Sequence, residues 1–117
     1  MTAMLERPVG SPAQVAVERR REGGACHLTI TGEIDATTAL LVADGLARAL
    51  DSGAARVYVE LAGVTFCDAS GLGLLIDARR EARQRGLRLV LVAPAAPVRR
   101  LLDLTELDAR FVINAAV

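Results

Sequence analysis

The hydrophobic residues of this chain change period along its length, and that change constrains the fold more than any other feature. "QVAVERRR" alternates Val15 and Val17 with small or polar residues, the period of a strand. Gly23-Gly24 marks a turn, and "CHLTITGEI" alternates again. Cys26, Leu28 and Ile30 are expected to point inward, and His27, Thr29 and Thr31 outward into solvent. In "DATTALLVADGLARALDSG" the spacing becomes helical, through Leu40, Ala43, Leu46 or Ala47, and Leu50. Asp35 or a following Thr can cap its start, and Gly53 can end it. Gly45 inside this helix costs about 1 kcal/mol relative to Ala, which a close packing contact would explain.

Period two returns in "RVYVEL", with Val57, Val59 and Leu61 on one face. "LGLLIDARREARQRG" is helical, with Leu72, Leu75, Ile76 and Ala82 on one stripe and Gly86 placed to stop it. "LRLVLVA" is a nearly continuous apolar run of strand length, as expected for a strand covered on both faces. "PAAPVRRLLDLTEL" holds a short helix, expected to open with Pro97 at its first position, and "RFVI" is a last short strand. The order is therefore β-β-α-β-α-β-α-β. Alternating units imply parallel strands joined by right-handed crossovers, and the first hairpin adds an antiparallel part. The expected fold class is α/β: a small mixed sheet with helices packed mainly on one face. Residues 1–13, with Pro8, Gly10, Ser11 and Pro12 and no periodicity, read as a flexible lead-in to one domain over 14–117.

Composition removes several classes of function. Fourteen basic residues, all Arg, balance fourteen acidic ones, so the chain lacks the excess positive charge of a general nucleic-acid binder. "ERRRE" at Glu18–Glu22 reads as an exposed strand end, and "ARREARQRGLR" as the wet face of a helix without aromatics for base stacking. The absence of Lys excludes a Walker A lysine, a Schiff-base nucleophile and a Ser-Lys dyad. Cys26 and Cys67 are far apart and, with a single His, supply no standard four-ligand zinc site; both read as buried, reduced, structural thiols. No apolar run reaches about 18 residues, and the first residues lack the layout of a signal peptide. The expectation is a soluble cytoplasmic protein without a membrane span.

One stretch does not reduce to core or surface. "FCDASGLGLLI", Phe66 to Ile76, sets Asp68 and Ser70 between a strand-like and a helix-like run. Either residue can accept hydrogen bonds from the free N–H groups of a first helical turn. For Asp68 the cap is the favoured role over orienting Ser70, and a helix entrance also tolerates added negative charge, such as a phosphate on Ser70. Gly71 and Gly73 allow tight packing of the helix start or close approach of another chain. Catalysis is a poor fit: "DASGLG" is not a GxSxG elbow, and His27, the only candidate base, is expected mid-strand. Asp77 and Glu81 are expected to pair with Arg80 and Arg85 rather than share a proton.

Three blocks, "ITGEIDATTA", "VYVELAGVTFCDASGLGLLI" and "APVRRLLDLTEL", together resemble the STAS-domain anti-sigma factor antagonists. The resemblance runs from about Gln14 to Ile113. It implies a STAS domain over 14–117 and a binding protein rather than an enzyme, with no cofactor of its own. It also implies phosphorylation at Ser70 within Asp68-Ala69-Ser70-Gly71, where Ala69 replaces a frequent Ser or Thr of the family. Partner contacts are implied at Glu33, Asp35, Asp68, Ser70 and Gly73. The implied partner is an anti-sigma factor that is itself a serine-protein kinase and supplies the ATP site. Unphosphorylated antagonist binds it and frees a sigma factor; phosphorylation releases the antagonist, and a PP2C-type phosphatase resets it. The alternative within the same family is an interaction subunit of another complex, such as a lipid-transport assembly, that uses the same surface without phosphorylation.

Overall fold

The computed structural model describes residues 14–107 and 110–114, so the lead-in expected over 1–13 lies outside the described residues. The elements are β1 (Val15–Glu22), β2 (Ala25–Ile34), α1 (Ala39–Leu50), β3 (Arg56–Glu60), β4 (Val64–Cys67), α2 (Ala69–Arg85), β5 (Arg88–Val92), α3 (Ala96–Leu104) and β6 (Val112–Asn114). Every expected element is present, and β4 is an addition to the expected order. β1 and β2 pair antiparallel through the Gly23-Gly24 turn, and the remaining pairings are parallel.

The sheet order is β1-β2-β3-β5-β6, with β4 also joined to β2. The long β2 has two partners on the same side. Its first half, Ala25–Thr29, lies beside β3, and its end pairs with β4, Ile34 opposite Cys67. The turn after β3 is bonded across, with Gly32 N–H donating to the Gly63 carbonyl at 3.0 Å. Register slips between Gly32 and Glu33, because Gly32 faces Val64 but Glu33 faces Phe66, leaving Thr65 as an extra residue. Gly32 takes φ +98°, and a Cβ there would run into the backbone of Gln14 and Val15. Only glycine meets both conditions.

One face of the sheet and the three helices form a single aliphatic core. Leu28, Ile30, Ile34 and Leu91 from the strands, with Leu61 just after β3, meet Val42, Leu75, Val98 and Leu102 from the helices, all essentially inaccessible. Burying such a side chain contributes about 1.5–3 kcal/mol. Gly45 has the packing reason that its sequence position requires: a Cβ there would collide with Val17 and touch Leu28. Gly86 closes α2 at φ +73°, with its N–H bonded to the Ala82 and Arg83 carbonyls. On the outer side of α2, Asp77 lies 3.5 Å from Arg80, and Glu81 pairs with Arg85 at 2.8 Å.

Three expectations need correction. Leu40 is 85% exposed, because α1 starts at Ala39 and its buried stripe is Val42, Gly45, Leu46, Ala49 and Leu50. Pro97 is the second helical residue of α3, after Ala96. His27 is buried, although its side chain does leave the sheet on the face away from the helices. There it stacks on Tyr58 with ring centroids 5.0 Å apart, and its Nδ1 lies 2.8 Å from Glu60 Oε2. Thr29 Oγ1 donates to the other Glu60 oxygen at 2.8 Å, and Arg20 stands 4.0 Å from the carboxylate. Burial raises the Glu60 pKa, but the bonds from His27 and Thr29 and the charges of His27 and Arg20 outweigh it and leave it lowered.

Leu46→Ala should lose about 2–5 kcal/mol in denaturant unfolding, and Leu40→Ala less than about 0.5 kcal/mol. Because Glu60 has a folded pKa below its ordinary 4.5, its contribution is complete above that value and fades as pH falls through the lower folded value. The stability gap between the parent and Glu60→Gln, measured from neutral pH downward, should therefore narrow below about pH 4.5.

Candidate functional site

The site is built where two adjacent parallel strands end. Ile34 closes β2 opposite Cys67, which closes β4, and the Asp68 N–H donates to the Ile34 carbonyl at 3.2 Å. Each strand then runs into a short polar turn and a helix. Parallel sheets commonly carry their functional groups at the carboxyl ends of strands, where turns leave the layer and helix entrances offer free N–H groups.

Asp68 is the N-cap of α2, in extended backbone conformation. Its Oδ1 accepts three hydrogen bonds: from Ser70 N–H at 3.0 Å, from Gly71 N–H at 3.4 Å, and from the Ser70 hydroxyl at 2.5 Å. One carboxylate oxygen thus caps the helix and orients the hydroxyl. Ala69 and Ser70 are exposed, Asp68 is half-buried, and Gly71 is buried. A Cβ on Gly71 would come within 2.7 Å of both Cys67 Sγ and Ile34 Cγ2, so this glycine lets the first turn of α2 sit directly on the two strand ends. Gly73 is different, since a Cβ there would meet nothing within 4 Å; it leaves a bare patch one turn along from Ser70.

The β2 turn lies beside this one. Asp35 Oδ1 accepts from Thr37 N–H at 2.9 Å, from Thr38 N–H at 3.1 Å and from the Thr37 hydroxyl at 2.7 Å. The Thr37 hydroxyl is the largest cause of a lowered Asp35 pKa; partial desolvation opposes it, and the N–H bonds reinforce it. Thr38, buried, donates its hydroxyl to the Glu33 carbonyl at 2.8 Å and so ties the turn back to the strand. Thr38 occupies the N-cap position of α1 without a side-chain capping bond, so Asp35 organises the turn rather than the helix end. Glu33 and Asp35 are both half-buried on this end of the sheet, with the Asp68-Ser70 turn.

Sequence reasoning missed which large apolar side chains are exposed. Phe66, opposite Glu33 and two residues before Asp68, is 47% exposed, and Leu40 and Leu41 are exposed in the first turn of α1. Helical spacing places Leu40 in the core, and the expected element order has no separate strand at Phe66. The two thiols are buried, and burial together with the Asp68 charge raises the Cys67 pKa to about 11. Cys67 is therefore a protonated packing group rather than a nucleophile. His27 sits seven residues before Ile34 on an extended strand, about 23 Å away at 3.3 Å per residue, so the chain's single His is out of reach of Ser70.

Residues 17–114 match the family model described as Mlab, STAS domain. The chain belongs to the STAS domain family. The anti-sigma-B factor antagonist of Listeria monocytogenes is 30% identical over 90 residues, 77% of this chain and 79% of that protein. The protein of the same name from Staphylococcus epidermidis is 28% identical over 88 residues, 75% of this chain and 82% of that one. Among solved structures, an anti-sigma factor antagonist from Mycobacterium paratuberculosis superposes with a TM-score of 0.82 at 21% identity, covering 92% of this chain and 91% of its own. The unphosphorylated form of the anti-sigma factor antagonist SpoIIAA superposes at 0.71 with 21% identity, covering 86% and 89%. At these identities the structures establish a shared fold.

The two glycines of the α2 entrance should respond oppositely. Gly71→Ala should destabilise by about 1–3 kcal/mol through overpacking against Cys67 and Ile34. Gly73→Ala, in open space within a helix, should stabilise by up to about 1 kcal/mol. Thermal and urea unfolding of the two variants checks both signs.

Proposed function

We propose that this chain is an anti-sigma factor antagonist whose docking to an anti-sigma factor is switched off by phosphorylation of Ser70. The observation that carries the reading is the Ser70 hydroxyl: exposed, at the entrance of α2, and aligned by a carboxylate that is already fixed by two backbone N–H groups. Family membership supports it, as do relatives that bear the name anti-sigma-B factor antagonist. SpoIIAA, which shares the fold, has been determined in unphosphorylated and phosphorylated forms.

The anti-sigma factor, a serine-protein kinase in this reading, covers the surface formed by Glu33, Asp35, Asp68, Ser70 and Gly73 together with Phe66. An exposed Phe66 opposite Glu33 suits an interface with an apolar contact among polar ones. Docking frees the sigma factor, the kinase modifies Ser70, and a PP2C-type phosphatase restores the hydroxyl. The cycle belongs to the cytoplasm, where sigma factors act.

Phosphorylation changes the surface more than the fold. The hydroxyl that donates to Asp68 is replaced by a group of about −2 charge that can only accept. In the free protein Ser70 is exposed, so the phosphate can turn into water, and the free N–H groups of the first turn favour it by about 0.3–1 kcal/mol. In the complex no such escape exists. Two unit charges 5 Å apart at an effective dielectric of about 20 repel by about 3 kcal/mol, and each 1.4 kcal/mol is tenfold in affinity.

Ser70→Asp should therefore bind the anti-sigma factor at least about tenfold more weakly, with unfolding free energy within about 0.5 kcal/mol of the parent. Ser70→Ala should bind and resist release by kinase and ATP. Titration calorimetry and a release assay read the two outcomes. Release of Ser70→Ala at the parent rate, or equal affinity of Ser70→Asp, would remove the phosphoswitch and leave a constitutive interaction subunit.

A further inference from the structure

The Arg-rich stretch Ala78–Arg88 builds a groove at the other end of α2 from Ser70. Where the second half of α2 meets Leu107, Arg110 and Phe111, two adjoining hollows of about 370 and 250 Å³ share Arg79, Arg83, Arg110 and Phe111 in their walls. Arg80 completes the first hollow and Arg88 the second. Five of the fourteen arginines therefore meet in one groove of a chain whose net charge is zero. Among the described residues no carboxylate lines either hollow. The acids of α2 turn elsewhere: Asp77 and Glu81 line the hollow against α1, where Glu81 pairs with Arg85. Arg80 lies 3.5 Å from Asp77, but Arg79, Arg83, Arg88 and Arg110 form no ion pair among the described residues. The groove is thus a concentration of positive charge that the fold leaves uncompensated.

We infer that this groove docks an acidic segment of a partner protein, one that intersperses carboxylates with apolar side chains. A guanidinium is the group suited to it, because its planar fork binds a carboxylate through two parallel hydrogen bonds. Arg79 is set in place beforehand. Its Nε donates to the Arg110 carbonyl at 2.6 Å, and its guanidinium carbon lies 6.0 Å from the centre of the Phe111 ring. Its two terminal nitrogens are left for a ligand. Beneath the charges, half-buried Ile76 and Leu107 and buried Phe111 give an apolar floor for the other side chains of the segment. Two hollows side by side suit an extended chain better than a compact ligand. Nucleic acid fits less well, because the only aromatic in the walls is buried and already covered by Arg79, which leaves bases no platform. The inference is independent of the reading of Ser70. Arg83 lies thirteen residues along α2 from Ser70, about 20 Å at 1.5 Å per residue. That is about two screening lengths at physiological salt, so charge at one surface barely reaches the other.

The test is fluorescence anisotropy of a labelled peptide alternating Glu and Leu, titrated with the full chain, with the Gln-for-Glu peptide and inorganic polyphosphate as competitors. The Glu peptide should bind, added salt should weaken it, and the Gln peptide should not displace it. Arg83→Gln and Arg110→Gln, made singly and together, change exposed side chains and should leave the melting temperature unchanged. The double variant should bind at least about tenfold more weakly. Arg99→Gln with Arg100→Gln removes the same charge from the exposed face of α3, outside the groove, and should keep the affinity within about twofold. Absence of binding to the parent, or an equal loss in the α3 pair, would overturn the groove as a docking site. Polyphosphate displacing the peptide at lower concentration than unlabelled peptide does would overturn the protein segment and reassign the groove to a phosphate polymer. Ser70→Asp should bind the peptide as the parent does; weaker binding would overturn the independence of the two surfaces, whereas failure of the Ser70 switch leaves this result untouched.

Discussion

The short parallel ladder between the end of β2 and β4 is the constraint on which the site depends. It is only a few pairs long, yet it places Cys67 beside Ile34 and anchors the Asp68 N–H on the Ile34 carbonyl. Val64 and Cys67 hold β4 in the core, while Thr65 and Phe66 face out. Gly71 then seats the first turn of α2 on both strand ends at once. Two turns separated by more than thirty residues become one surface through these contacts. The two turns are set side by side by the strands beneath them, and within each turn an Asp fixes the neighbouring hydroxyl.

Much of this was legible in the sequence, and the failures have physical causes. The order of long elements followed from period alone, because ten-residue β2 and seventeen-residue α2 each repeat their pattern several times. β4 did not, because its bulge breaks the alternation: its two buried residues, Val64 and Cys67, are three apart instead of two. The stripe of α1 was misplaced because one of its buried positions is Gly45, which adds nothing to a hydrophobic pattern, and because Asp35–Thr38 form a turn that resembles helix in sequence. Alternation points His27 outward because it reports which side of a sheet a residue leaves, not what waits there. Tyr58 and Glu60, on the neighbouring strand, cover it.

The site residues were legible to a different degree. The Asp68-Ser70 turn was marked by composition, being polar between two apolar runs. Glu33 and Asp35 were placed by resemblance, and the structure puts them on the same end of the sheet as Ser70 through the β2 and β4 pairing. The exposure of Phe66 and Leu40 was not legible, since both look like core residues until β4 and the true start of α1 are known.

The sequence left open whether Asp68 caps a helix or orients a hydroxyl, and the geometry makes these one function. A capping carboxylate is worth about 1 kcal/mol, and here the oxygen that provides the cap also receives the Ser70 hydroxyl. The two backbone N–H bonds fix that oxygen without help from the side chain, so the hydroxyl can be lost or substituted while the cap persists. This separation leaves the Ser70 side chain free to change without loosening the start of α2. If the Ser70 hydroxyl were itself the cap, modifying it would loosen α2 and weaken the core through Leu72 and Leu75. Because Asp68 holds the helix end, a charge added at Ser70 would stay at the surface, which is what the proposed switch requires.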